Sequence, residues 1–289
     1  MAMDVIVSTG SLTGMSLPRI FDVARRAGAD GVELMLTARL VQQGPERVRE
    51  LERRFGVAVR SVHAVLRLRE PSARQGAEDI VASARFARAL SACETLVVHP
   101  PTVSSLHTLA ASRWFDALET VRAMTDDAPT RVTIENLGRL RRSDPPSVFD
   151  HPDRLRWVAQ EWGVGVTYDT AHAASRDWDV VATAGRLAPY LANLHLSDYG
   201  RRDFPVGMAN ALLRDHQLPG SGVLPLEALL FHLARTGYRG LVTLELSPVA
   251  LGVPWRPAVE RRLRGAITHC RAAIQAGALA HGPSHLLGP

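Results

Sequence analysis

Six short apolar runs in this sequence end on an ionisable side chain. Val-Arg-Ser-Val leads to His63, Leu-Val-Val to His99 and Val-Thr-Ile to Glu135. Val-Thr-Tyr leads to Asp169, Ala-Asn-Leu to His195 and Val-Thr-Leu to Glu245. One histidine at the end of a strand is usually a hydrogen-bonded structural residue. Six such ends in succession need another explanation. Three carboxylates packed together raise one another's pKa, and a bound cation removes that penalty. Mixed oxygen and imidazole donors suit Mn²⁺, Mg²⁺, Co²⁺ or Zn²⁺, and the lack of thiolate argues against a purely structural zinc. His172, three residues after Asp169, is near enough in sequence to join the same shell. His107, His151, His232, His269, His281 and His285 have no such placement and read as surface or structural residues.

The elements that must position these groups follow from the pattern. Eight β-type runs occur: 5–7, 31–34, 57–63, 95–99, 131–136, 164–169, 191–195 and 240–246. Segments of helical length and period separate them, such as 18–27, 73–90 and 225–236. Eight β-α alternations in under 290 residues predict an α/β fold, a (β/α)8 TIM barrel, with a doubly wound sheet as the rival. In a barrel all the strand C-termini converge on one face, where the ionisable ends would meet. The expected domain is 1–276, with 277–289 as a flexible C-terminal tail. The stretch 197–222 is too long for an ordinary connection and reads as a functional loop over the barrel mouth.

Composition narrows the chemistry further. All 34 basic residues are arginine, so a lysine Schiff base, lysine-anchored pyridoxal phosphate and a P-loop lysine are excluded. The net charge of +5 reads first as a soluble arginine-rich surface, and the 139–142 cluster as a solvated loop. Cys93 and Cys270 lie too far apart in sequence to suggest a disulfide framework. No signal peptide or membrane span is expected, which makes the cytoplasm the expected compartment. Gly220-Ser221-Gly222 is too short for a nucleotide loop. The five tryptophans read as core or rim packing, with Trp178 or Trp255 as candidates to line a sugar pocket.

The chain resembles the xylose isomerase-like superfamily of TIM barrels, which includes sugar phosphate isomerases and epimerases and endonuclease IV. The resemblance rests on Ile134-Glu135-Asn136, Asp169-Thr170-Ala171-His172, Asn193-Leu194-His195-Leu196, Leu218-Pro219-Gly220-Ser221-Gly222 and Gly237-Tyr238-Arg239-Gly240 before Thr243-Leu244-Glu245. In the ketose 3-epimerases of this group one divalent ion is held by residues matching Glu135, Asp169, His195 and Glu245. The two glutamates there are also the acid/base pair. The resemblance therefore implies proton abstraction next to a carbonyl through an enediolate that the metal stabilises, with His172, Arg201, His216 and Glu33 holding substrate. Its implied cofactor is one ion of Mn, Mg, Co or Zn, with His63 and His99 as ligands of a second zinc or as substrate contacts. The expected partner is a small carbohydrate (a sugar, sugar phosphate or inosose) rather than nucleic acid or membrane, and such barrels often form homo-oligomers.

The alternative reading is an endonuclease IV-like zinc phosphodiesterase acting on abasic DNA. Its third zinc would need His172, His216 and an aspartate two residues before the latter. That position is Arg214, a permanent cation with no acceptor lone pair. A third alternative is a barrel that binds sugar or metal without turnover.

Overall fold

The computed structural model describes residues 3–67 and 71–280. Eight strands alternate with helices. The first half comprises β1 (Val5–Ser8), α1 (Leu17–Ala27), β2 (Val32–Met35), α2 (Ala38–Gln43), α3 (Glu46–Phe55) and β3 (Val59–His63). It continues with α4 (Ala73–Arg88), β4 (Thr95–Val98), α5 (Leu109–Thr125) and β5 (Arg131–Glu135). Next come α6 (Pro152–Trp162), β6 (Gly165–Asp169), α7 (Thr170–Ser175), α8 (Val180–Leu187) and β7 (Leu191–Leu196). The chain closes with α9 (Gly207–Leu213), α10 (Leu226–Arg235), β8 (Leu241–Leu244), α11 (Pro248–Leu251) and α12 (Arg256–Ala280).

All strand pairs are parallel, and β1 pairs with both β2 and β8, so the sheet is a closed barrel in sequence order. Closure excludes the doubly wound alternative, whose open sheet would leave two edges. The outward strand faces are apolar and buried, as with Val62, Leu96, Ile134, Val166 and Leu194, because they meet the helix ring. Helices stop where the sequence permits: Gly28, Gly56 and Gly163 take the left-handed conformation that ends α1, α3 and α6.

Two expectations change. The helix α12 runs to Ala280, so residues 277–280 of the expected tail are helical. The cause is packing at Gly277, where a Cβ would lie 2.4 Å from the Phe231 carbonyl oxygen, so only glycine lets α12 lie this close to α10. The remainder of that tail, with His281 and His285, lies outside the described residues. The 197–222 stretch is not a bare loop. It contains α9 and an antiparallel bridge between Asp198 and Gln217. Among the described residues no helix is long and apolar enough to cross a membrane.

Candidate metal centre at the barrel mouth

Register brings the ionisable residues together. Asp169 pairs with His195, and His195 with Thr243, two residues before Glu245. His63 and Glu135 end their strands, while His99 and Glu245 are the first residues beyond theirs. One donor atom from each of Glu135, Asp169, His195 and Glu245 falls within a cluster whose atoms all lie within 4.8 Å of one another. Two further clusters meet the same criterion: His63, His99 and Glu135, and Asp169, His172 and His216. Glu135 belongs to the first and second of these three groups, and Asp169 to the first and third.

Hydrogen bonds decide which ring nitrogens face the centre. His63 Nδ1 lies 2.9 Å from the Ala64 carbonyl oxygen, so it carries the proton, and Nε2 faces Glu135 Oε2 at 3.2 Å. His195 donates from Nε2 to Glu33 Oε2 at 3.0 Å, which turns Nδ1 towards Glu135 Oε1 at 3.2 Å and Glu245 Oε2 at 2.7 Å. His172 donates from Nδ1 to the Asn136 carbonyl at 2.9 Å. In His63 and His195 a lone pair would face a carboxylate across about 3 Å unless a proton or a cation sits between. Donation of the other N–H to a carbonyl or carboxylate is the arrangement that metal-ligating histidines use.

The carboxylates show the same preparation. Asp169 Oδ1 caps α7 by accepting from the His172 backbone N–H at 2.6 Å. Its Oδ2 is buried and has no hydrogen-bond partner, while Glu245 Oε2 meets only the His195 Nδ1, at 2.7 Å. An orphaned oxygen on Asp169 and the other donors grouped with it fit a divalent cation. Without one, protons must balance the site. Burial raises Glu245, but the charge on His195 outweighs it and draws the carboxyl down to about 2. Burial likewise opposes ionisation of Glu135, and the charges of His195 and His99 hold it well below its ordinary range. The imidazoles move the other way. Burial lowers His172, yet the charges of Asp169 and Glu135 lift it to about 10, and carboxylates lift His195 well above its usual value. Asp169 stays above its ordinary value, first through burial and then through repulsion by Glu135 and Glu245.

Beneath the centre lies a polar ring that sequence reasoning missed. Ser61, Thr133, Thr167, Asn193 and Thr243 each stand two residues before a cluster residue and share its inward face. All are buried. Thr95 donates to Ser61, Ser61 to Glu33, and Asn193 Nδ2 to Glu33 as well. Thr243 donates to Asn193 Oδ1, and Thr133 and Thr167 bond each other at 2.7 Å. The signal was present as Ser-x-His, Thr-x-Glu, Thr-x-Asp, Asn-x-His and Thr-x-Glu, but threonine in a strand also reads as an ordinary β-former.

Glu33, expected to hold substrate, is fully buried; Ser61, Asn193 and His195 all converge on its Oε2, and its Oε1 has no partner among the described residues. It orients His195 from behind. The other expected contacts separate. His172 and His216 lie at the centre, with ring centroids 5.3 Å apart, and His216 is held in the left-handed region at φ 54°. Arg201 lies instead in a polar pocket with Arg139 and Arg142. Arg214 is buried and turned away from the zinc-ligand position, bonded to Asp203 and Asp215. A cavity of about 380 Å³ opens beside His63 and His99, lined mostly by apolar side chains such as Val65, Ile80 and Trp114. Trp255 is 71% exposed, and neither it nor Trp178 lines that cavity.

Fold and site together define a (β/α)8 barrel with a carboxylate–imidazole cluster at its mouth that could hold a divalent cation. Residues 21–267 match the family described as xylose isomerase-like TIM barrel, and the chain belongs to that family. It is 30% identical over 271 residues to an uncharacterised protein of Mycobacterium tuberculosis, covering 85% of this chain and 89% of that one. A D-tagatose 3-epimerase-like protein has a similar structure, with a TM-score of 0.71 at 17% identity over 96% of this chain and 99% of that one. An AP endonuclease of family 2 from Brucella melitensis is similar at a TM-score of 0.68 and 16% identity, over 88% of this chain and 98% of that one. At such identities the likeness shows the shared fold.

Proposed function

We propose that this barrel is a metal-dependent sugar isomerase or epimerase. The observation that carries the reading is the set of Glu135, Asp169, His195 and Glu245, with an orphaned Asp169 oxygen and a histidine nitrogen turned into it. A divalent ion held there would supply Lewis acidity, which lowers the pKa of a C–H beside a substrate carbonyl. Glu245 is the better-placed base: its side chain is 16% exposed and its Oε2 meets one imidazole, His195 at 2.7 Å. Glu135 has both oxygens engaged by imidazoles, His195 at Oε1 and His63 and His99 at Oε2. Itself ionised, it passes on a proton from the His63 imidazole at its Oε2, returning it to the same carbon for epimerisation or to its neighbour for isomerisation, while Glu245 keeps the abstracted proton until solvent takes it. His172 and His216 hold hydroxyls at the mouth, and Glu33 keeps His195 in the correct tautomer.

The test is solvent-deuterium uptake into a panel of ketoses and ketose phosphates by Mn²⁺-loaded protein, followed by mass spectrometry. Uptake by the parent and a roughly 10²–10⁴-fold loss in Glu245→Gln is expected. Metal-loaded protein that exchanges no substrate proton on any sugar would overturn the reading. The second reading, a zinc phosphodiesterase acting on abasic DNA, is favoured by the two added clusters at His63/His99 and His172/His216. Incision of an abasic duplex by Zn²⁺-loaded protein, lost in His99→Ala, would replace the first reading with it.

A further inference from the structure

One turn of α7 beyond His172, at Ser175, lies a separate polar pocket of about 170 Å³. Its wall is unusually rich in guanidinium groups, from Arg139, Arg141, Arg142, Arg201 and Arg214. Some of that charge is committed. Arg214 is buried, bonds Asp203 and Asp215, and donates from Nη2 to the carbonyls of Arg139 and Leu140. Arg139 donates to Asp177 and to the Ser175 carbonyl, and Arg142 faces Asp203 at 3.5 Å. Asp177, Asp203 and Asp215 are thus matched, and a fourth carboxylate, Asp144, accepts from the backbone N–H groups of Leu140 and Arg141. The side chains of Arg141 and Arg201 make no hydrogen bond or ion pair among the described residues.

The pocket is built rather than incidental. Arg214 and Asn210 together fix the β5 loop through the Leu140 carbonyl. Gly207 lets Arg141 lie against α9, since a Cβ there would sit 3.2 Å from Leu140 Cβ and 3.4 Å from Arg141 Nε. Tyr199 packs under the Arg214 guanidinium, 4.9 Å from ring centroid to Cζ. Its hydroxyl, pushed up to about 12 mainly by burial, stays protonated at neutral pH and can donate. Asp177, in the same wall, holds a left-handed backbone at φ 59°, a conformation non-glycine residues rarely adopt.

We propose that this arginine pocket is an anion subsite that binds the phosphomonoester of a phosphorylated sugar whose reacting carbons lie at the Glu135–Glu245 cluster. Two unmatched guanidinium groups and a phenol suit a phosphate dianion, because guanidinium pairs with phosphate oxygens bidentately. The distance is suitable. Asp169, His172 and Ser175 follow one another at three-residue steps, so the subsite begins roughly 9 Å along α7 from the ligand carboxylate at 1.5 Å per residue. The sugar half of this proposal rests on the isomerase reading; the anion site does not.

The test uses full-length protein stripped with a chelator, so that no metal offers phosphate a second site. Inorganic phosphate is titrated by calorimetry. Saturable binding at one site is expected, weakened about tenfold by Arg141→Gln and again by Arg201→Gln, and unchanged by Glu245→Gln. Ribose 5-phosphate and fructose 6-phosphate should compete with phosphate for the same arginines. No saturable binding, or binding indifferent to both arginine variants, overturns the proposal. Competition by an abasic duplex but by neither sugar phosphate also overturns it, by assigning the arginines to nucleic acid. Phosphate bound as expected by the stripped protein, with no deuterium uptake into any sugar phosphate once the same protein is reloaded with Mn²⁺, would sink the isomerase reading while the anion site stands.

Discussion

At the residue scale, the centre is set by which atom each side chain turns inward. Asp169 divides its two oxygens, one capping α7 and the other free. His195 divides its two nitrogens, one on Glu33 and the other on the cluster. Asn193 links Glu33 to Thr243 and so fixes both supports at once. Asn193→Leu should therefore weaken Mn²⁺ or Zn²⁺ binding by roughly 10–100-fold without removing a ligand, as measured by competition with a fluorescent chelator; unchanged affinity would show the ring to be mere filling. Protonation gives a second prediction. His172 is raised from 6.5 to about 10, so the stability it contributes in metal-free protein is fully present below 6.5 and is lost as pH rises through about 10. The metal-free parent should lose melting temperature across that window more steeply than His172→Gln. Metal affinity should run the opposite way, rising with pH as His195 gives up its proton, because ligands must be deprotonated. Metal binding that releases no proton in weakly buffered solution would contradict this assignment.

At the element scale, the β7–α10 connection is the part most exposed to change. Its anchor is the Asp198 carboxylate, which is buried and accepts from the backbone N–H groups of Tyr199, Gly220, Gly222 and Leu224. Gly222 must be glycine there, since a Cβ would lie 2.4 Å from Asp198 Oδ1 and 2.4 Å from the Tyr199 carbonyl oxygen. The same connection carries His216, whose carbonyl accepts from Ser247 N–H. Asp198→Ala should cost about 3 kcal/mol through loss of charge-assisted bonds to buried backbone donors. It should lower the thermal midpoint by several degrees and loosen His216, while far-ultraviolet dichroism stays native. A variant as stable as the parent would mean the connection is held elsewhere.

At the scale of the whole molecule, closure of the barrel forces acids and imidazoles from strands three to eight onto one face. A cation that binds only this folded face must stabilise the fold by mass action. Metal at about one hundred times its dissociation constant contributes about 2.7 kcal/mol. Calorimetric melting should therefore shift upward by several degrees on Mn²⁺ or Zn²⁺ addition in the parent and by much less in Glu245→Gln. Equal shifts in both would place the ion elsewhere.

The sequence by itself determined the eight strands, their alternation with helices and the six ionisable ends, because apolar period and element length are local properties of the chain. Strand ends such as Val-Thr-Ile-Glu135 and Leu-Val-Thr-Leu-Glu245 are readable without any fold. Only the tertiary structure decided that Glu33 bonds His195, 162 residues away. It alone gathered Arg141 and Arg201 from separate strand-end loops into one pocket, and turned Arg214 from a missing ligand into the clasp that holds its wall. These are relations between distant residues, fixed by strand register and barrel closure. No periodicity along one segment encodes which atom of another segment it will face.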